Sequence, residues 1–234
     1  FLGQTDNTVA NIVNAAENGL RNGAIGFLNT DWGDNGSQAY LPVSYLGIAC
    51  GAANAWCLEQ GRRMPLADAL SLHAFGDPTG ETGRIAYDLG NAYRAGGPPP
   101  ENSAAPFWLI VKDMLGGWYQ ADPDAQQLGR LLDYVNNVST RWSQARPTGP
   151  DAALVREEFA NNVAMWNHAC RCGLALVEEK RGGKPDWRAL AKELQGIVTE
   201  HHRLWLARHR PGGLADSAAR LGSRLPYYLA RAEA

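Results

Sequence analysis

The sequence predicts a mainly α-helical fold that opens on one helix–strand–helix unit. Three observations carry this. From residue 65 onward the apolar residues keep helical spacing over long runs. Pro and Gly clusters such as "FGDPTG", "AGGPPPENSAAP", "RPTGPD", "RGGKPD" and "RPGG" cut those runs into segments. Only one short apolar run, "AIGFL" at residues 24–28, reads as a buried strand, and no partner strand follows it.

The first helix is expected over residues 8–22. Val9, Val13, Ala16 and Leu20 form one stripe, Thr5, Asp6 or Thr8 can cap the start, and Gly23 can stop it. After the strand and a Gly-rich turn, Pro42 opens a second helix over about residues 43–60, which Gly61 ends. Its small residues (Gly47, Ala49, Gly51, Ala52, Ala53) let neighbours approach closely. Seven further helical segments are expected near 65–75, 80–95, 104–119, 123–145, 151–181, 186–209 and 214–231. Pro65, Pro106, Pro150 and Pro185 stand near helix starts, where a missing N–H costs little. The stretch "AGGPPPENSAAP" is the most linker-like and predicts stiff, extended chain. The division expected is 1–61 and 62–234.

The stripes of the long segments read as core: Leu154, Val155, Phe159, Val163, Trp166, Cys170, Leu174 and Val177 in one, and Trp187, Leu190, Leu194, Ile197, Val198, His201, Leu204 and Trp205 in the other. Glu157-Glu158 and Glu178-Glu179 read as solvated helix surface. Arg208 and Arg210, near a helix end, read as partners of its dipole. Most of the eight tryptophans are assigned to packing, with Trp32 the main exception.

Composition narrows the function. The chain has 234 residues, 45% of them hydrophobic and 20% charged, with a net charge of -2. No basic excess suggests nucleic acid, and no apolar run approaches the roughly 20 residues that span a membrane. The expectation is a soluble, cytoplasmic protein. The start, "FLGQTDNTVAN", has neither a signal-peptide pattern nor an initiator Met, as expected of a processed chain or a piece of a longer one. Cys50, Cys57, Cys170 and Cys172 are expected as buried free thiols. Cys50 and Cys57 lie two helical turns apart, at about 1.5 Å per residue too far for a disulfide. The spacing offers no metal set, and no cofactor is expected.

The chemistry-bearing stretch is "NTDWGDNG". A calcium loop beginning at Asp31 would put Gly33 at its third position and Pro42 at its twelfth, so two essential ligands fail. A turn accounts for Asn35-Gly36 but not for Trp32. A sugar subsite accounts for the rest. An indole stacks on the apolar C–H face of a pyranose, and a carboxylate accepts charge-assisted bonds from its hydroxyls. Gly33 permits the sharp path between Trp32 and Asp34.

On these residues, "GAIGFLNTDWGDNG…LPVSYLGIACGAANAW" resembles the end of the catalytic barrel of family 20 glycoside hydrolases. The likeness is to bacterial β-N-acetylhexosaminidases with a large C-terminal helical domain. Residues 202–221, "HRLWLARHRPGGLADSAARL", look like the terminal region of that subgroup. Where the subgroup carries a His soon after this motif, the chain departs from it with Ser37 and Gln38. The resemblance implies that residues 1–61 are the closing helix–strand–helix segment of a (β/α)8 barrel. It implies that Trp32 walls the subsite of a terminal N-acetylhexosamine and that Asp34 binds its hydroxyls. The family uses the substrate's acetamido oxygen as nucleophile, supported by an adjacent Asp-Glu pair. No Asp-Glu dipeptide occurs here, so no catalytic residue is assigned and the chain alone is expected to be inactive. Expected partners are N-acetylhexosamine-terminated glycans, bound through a full-length enzyme, and a second copy through the helical domain. The alternative from another class is a non-catalytic helical interaction or dimerisation module.

Overall fold

The computed structural model describes residues 1–98, 103–112, 117 and 124–233. The described residues are mainly helical, and no strand occurs among them. Among them too, no helix is long and apolar enough to cross a membrane.

Helix α1 runs Thr5–Arg21. Its start is capped from outside: Thr5 N–H donates to Gly90 O (2.9 Å) and Asp6 N–H to Asn91 Oδ1 (3.1 Å). Its end is a Schellman turn, with Gly23 at φ 74° and Ala24 N–H donating to Gly19 O. The buried face is Thr5, Ile12 and Ala16. Leu20, expected on the stripe, is exposed because it lies beyond the neighbours that cover Ile12.

The strand expected at 24–28 is not formed. Ile25 is 108% exposed and Leu28 86% exposed, and no backbone group of residues 25–32 pairs with another backbone group among the described residues. A strand holds only against neighbouring strands, and none is present among the described residues.

Helix α2 spans Leu41–Trp56 with Pro42 in its first turn. Its glycines do receive neighbours: a Cβ on Gly47 would lie 3.3 Å from Thr8 Cγ2, and one on Gly51 would lie 2.3 Å from Asn29 Nδ2. The helix breaks at Cys57 (φ -155°, ψ 105°), so Cys57 leaves the face of Cys50, and α3 follows at Leu58–Gly61. Cys57 is half-buried; the other three cysteines are buried, and all four are free. Trp56 is exposed, a second tryptophan outside the core.

Helix α4, Leu66–Ala69, widens into a π-turn over Leu70–Ala74. Helix α5, Glu81–Leu89, is set by buried Asp77, which accepts from the N–H and hydroxyl of Thr79 (2.9 and 2.6 Å) and of Thr82 (2.9 and 2.6 Å). Burial alone would raise the Asp77 carboxyl, but these four bonds hold it down at about 2. Helix α6 is only Ala105–Ile110, because Val111 turns extended, so the expected run to 119 stops early. Residues 113–116 and 118–119 of that run, and residues 99–102 of the linker-like stretch, lie outside the described residues. Arg224 Nε and Ser223 Oγ donate to the Leu109 and Ile110 carbonyls at the α6 end (2.7 and 3.1 Å).

Helices α7 (Ala125–Thr140), α8 (Ala152–Lys180), α9 (Trp187–Arg208), α10 (Leu214–Leu221) and α11 (Leu225–Ala232) complete the chain, with a 3-10 turn at Gly222–Arg224 splitting the expected 214–231 segment. Helix α8 is the axis, packing on α2, α6, α7 and α9. Met165, Trp166, Ala169, Cys170 and Cys172 are buried along it. One hydrophobic cluster joins residues on both sides of position 61.

Glu158 corrects the expectation of a solvated surface. It is 1% exposed and takes two bonds from Arg208, Nε–Oε1 at 2.7 Å and Nη2–Oε2 at 2.8 Å, while Arg208 also reaches Asp151 (2.9 Å). Arg208 lies in the last turn of α9, where a cation complements the dipole, and it also neutralises a buried carboxylate. Buried His168 joins three helices in the same way, with Nδ1 against Glu193 (3.0 Å) and Nε2 against Tyr228 Oη (3.1 Å).

Candidate functional site

The stretch between α1 and α2 carries the residues singled out in the sequence. Residues 25–32 form neither helix nor strand and are tied to α2 by Asn29 Nδ2 donating to Gly47 O (3.1 Å). Trp32, at its end, is 79% exposed, and Asp31 and Asp34 are both exposed. A cleft of about 730 Å³ opens between α1, α2 and this stretch, with Asn11, Phe27, Asp31, Trp32, Ser44 and Trp166 among its lining.

Of the two predicted binding residues, the cleft takes only one. Trp32 lines it together with Asp31; Asp34 is not among its lining residues. Asp34 opens a 3-10 turn, Asp34–Gly36, that packs on α10. The cleft is therefore walled by an aromatic face and a carboxylate, the pair that sugar binding asks for, but the carboxylate is the neighbouring one.

The turn is anchored by a buried polar chain that sequence reasoning missed. Gln38 Nε2 donates to Asn35 O (2.8 Å) and to Ser217 O (3.4 Å). Asn162 bridges both flanks, donating to Gln38 O (2.8 Å) and accepting from Tyr40 N–H (3.2 Å). Asn161 donates to Tyr40 Oη (2.8 Å). Tyr40 Oη lies 2.9 Å from His201 Nδ1, and His201 Nε2 lies 2.8 Å from Ser217 Oγ. The Tyr40 phenol and the Ser217 hydroxyl thus occupy both ring nitrogens of His201.

Burial, aided by the charge of His202, lowers His201 to about 4, so the ring is neutral at pH 7. Burial likewise raises the Tyr40 phenol. The order Ser–His–Tyr resembles a nucleophile relay, yet Ser217 and His201 are both 0% exposed and meet no substrate. The chain is a structural clamp. His201 was legible as a core position on its helical stripe; its partners were not. Among the described residues no three His, Cys, Asp or Glu side chains gather as a metal site. Compared with protein-family models, curated proteins and solved structures, the chain matches none.

Proposed function

We propose that the chain is the C-terminal part of a β-N-acetylhexosaminidase-like glycoside hydrolase, in which residues 1–61 close a (β/α)8 barrel. The observation that carries the reading is the stretch 25–32. It forms neither helix nor strand, has no backbone partner among the described residues, and leaves Ile25, Leu28 and Trp32 exposed between α1 and α2. An exposed apolar run between two helices supports a barrel strand that lacks its sheet, since parallel strands are paired on both edges and covered by helices. Trp32 and Asp34 follow its C-terminal end, where barrel enzymes carry their functional residues.

In this reading Trp32 stacks on the terminal N-acetylhexosamine, and Asp34 accepts bonds from its ring hydroxyls once the upstream strands draw residues 25–32 into register. Asp31 is the carboxylate on the cleft side in their absence. Bond cleavage belongs to an acid supplied by those strands, with the substrate's acetamido oxygen as nucleophile. No Asp-Glu dipeptide is present here, so this chain supplies part of the sugar subsite and does not cleave.

The test is the product of the whole reading frame against this chain, each with 4-nitrophenyl N-acetyl-β-glucosaminide. The larger product should release nitrophenol and this chain should not. In the larger product Trp32→Ala and Asp34→Asn should each lower kcat/KM by about 10- to 100-fold, the worth of one stacking or charge-assisted contact. Hydrolysis by this chain alone overturns the proposal. So does a reading frame without an upstream run of strands.

A further inference from the structure

The turn that carries Trp32 and Asp34 is held in a costly conformation. Asn35, Gly36 and Ser37 follow one another at φ 56°, 100° and 53°. Ser rarely adopts the left-handed region, and a strained residue of this kind persists only where surroundings over-determine it. Asn35 Oδ1 and Gln38 Oε1 are also buried without a hydrogen-bond partner. What over-determines the turn comes from α10. Gly36 passes so close that a Cβ there would lie 3.0 Å from Ser217 Cα and 2.9 Å from Arg220 Cδ. Gln38, 2% exposed, bonds both the turn and the Ser217 carbonyl. The constraint reaches Trp32 through Gly33, where a Cβ would meet Ser37 Cβ at 2.6 Å.

We infer that Gln38 and Ser217, backed by His201, are positioning residues: α10 fixes the Trp32–Asp34 turn, so sugar affinity is set by a helix that touches no sugar. The inference rests on the reading of Trp32 and Asp34 as a sugar subsite, and the anchoring itself is measurable without sugar. The neutral amide is needed because it donates twice, to Asn35 O and Ser217 O. Methionine keeps the length of the side chain and donates nothing.

The experiment labels this chain with 5-fluorotryptophan and assigns the Trp32 fluorine resonance by its loss in Trp32→Phe. Gln38→Met should shift or broaden that resonance and speed amide exchange over residues 33–40 by about tenfold, the worth of one net hydrogen bond. The Trp166 and Trp187 resonances should hold. Ser217→Ala, which keeps the carbonyl and frees His201 Nε2, should give the smaller change of the same kind and serves if Gln38→Met does not fold. An unmoved Trp32 resonance with 33–40 still protected overturns the inference. A joint movement of all the tryptophan resonances overturns it too, since the effect is then general loss of packing. In the whole reading-frame product, Gln38→Met should raise KM for the aryl N-acetylglucosaminide about tenfold with kcat within about threefold. A product with no such activity refutes the sugar reading and leaves the anchoring to be decided by resonance and exchange.

Discussion

His201 ties the stability of the protein to pH in a window where few other groups titrate. Its folded pKa is about 4 against an ordinary 6.5. A group whose folded pKa is depressed contributes stability above its unfolded pKa and loses it as pH falls toward the folded value, so the window is 6.5 down to 4. At about 1.4 kcal/mol per unit of pKa, the whole effect is about 3 kcal/mol, of which about 2 kcal/mol is lost between pH 7 and pH 5. The perturbation is His201→Gln, which cannot titrate. Urea unfolding of both chains at pH 7 and pH 5 gives four free energies. Carboxylates and the other histidines contribute alike to both chains and cancel in the double difference. The wild-type chain should lose about 2 kcal/mol more than the variant between the two pH values. A double difference below about 0.5 kcal/mol would refute the assignment of His201 as a buried neutral ring.

Three further outcomes are expected. Asp77→Asn should destabilise by about 2 kcal/mol at pH 7, because the carboxylate held at about 2 serves four donors; urea melts should show the gap narrowing as pH falls through 3.8 toward 2. Glu158→Ala should cost about 3 kcal/mol in the same assay, since it leaves Arg208 only its one bond to Asp151, while Glu158→Leu with Arg208→Met should recover most of that loss. Trp32→Ala should leave the thermal midpoint within about 1 °C and the unfolding free energy within about 0.5 kcal/mol, because its ring packs on little.

Periodicity made the long helices legible. The expected segments 151–181 and 186–209 became Ala152–Lys180 and Trp187–Arg208, the second capped by Asp186, whose carboxylate accepts from Ala189 N–H at 2.9 Å. Helix breaks were less legible, since Cys57 and Gly222 stand inside continuous apolar patterns. Glu158 was misread because its polar neighbours suggest a wet face, and nothing local announces that Arg208 folds back onto it. The strand at 24–28 was read from its own apolar residues, but pairing belongs to neighbours and not to a segment. Trp32 was legible as the odd aromatic of a polar turn. Its anchors were not, because Gln38 and Ser217 are 179 residues apart.

That separation gives the turn a place in time. During synthesis α1, α2 and α5 can meet as soon as residue 94 is out, when Asp6 finds Asn91 and Arg94. The turn at 34–36 must wait for α10, almost the whole length of the chain later. A nascent chain, or one truncated by a premature stop near residue 212, would carry most of its helices but lack the α10 side of the clamp on this turn. The part of the molecule that reads as its binding edge is thus finished only near the end of synthesis, although it lies near the start of the chain.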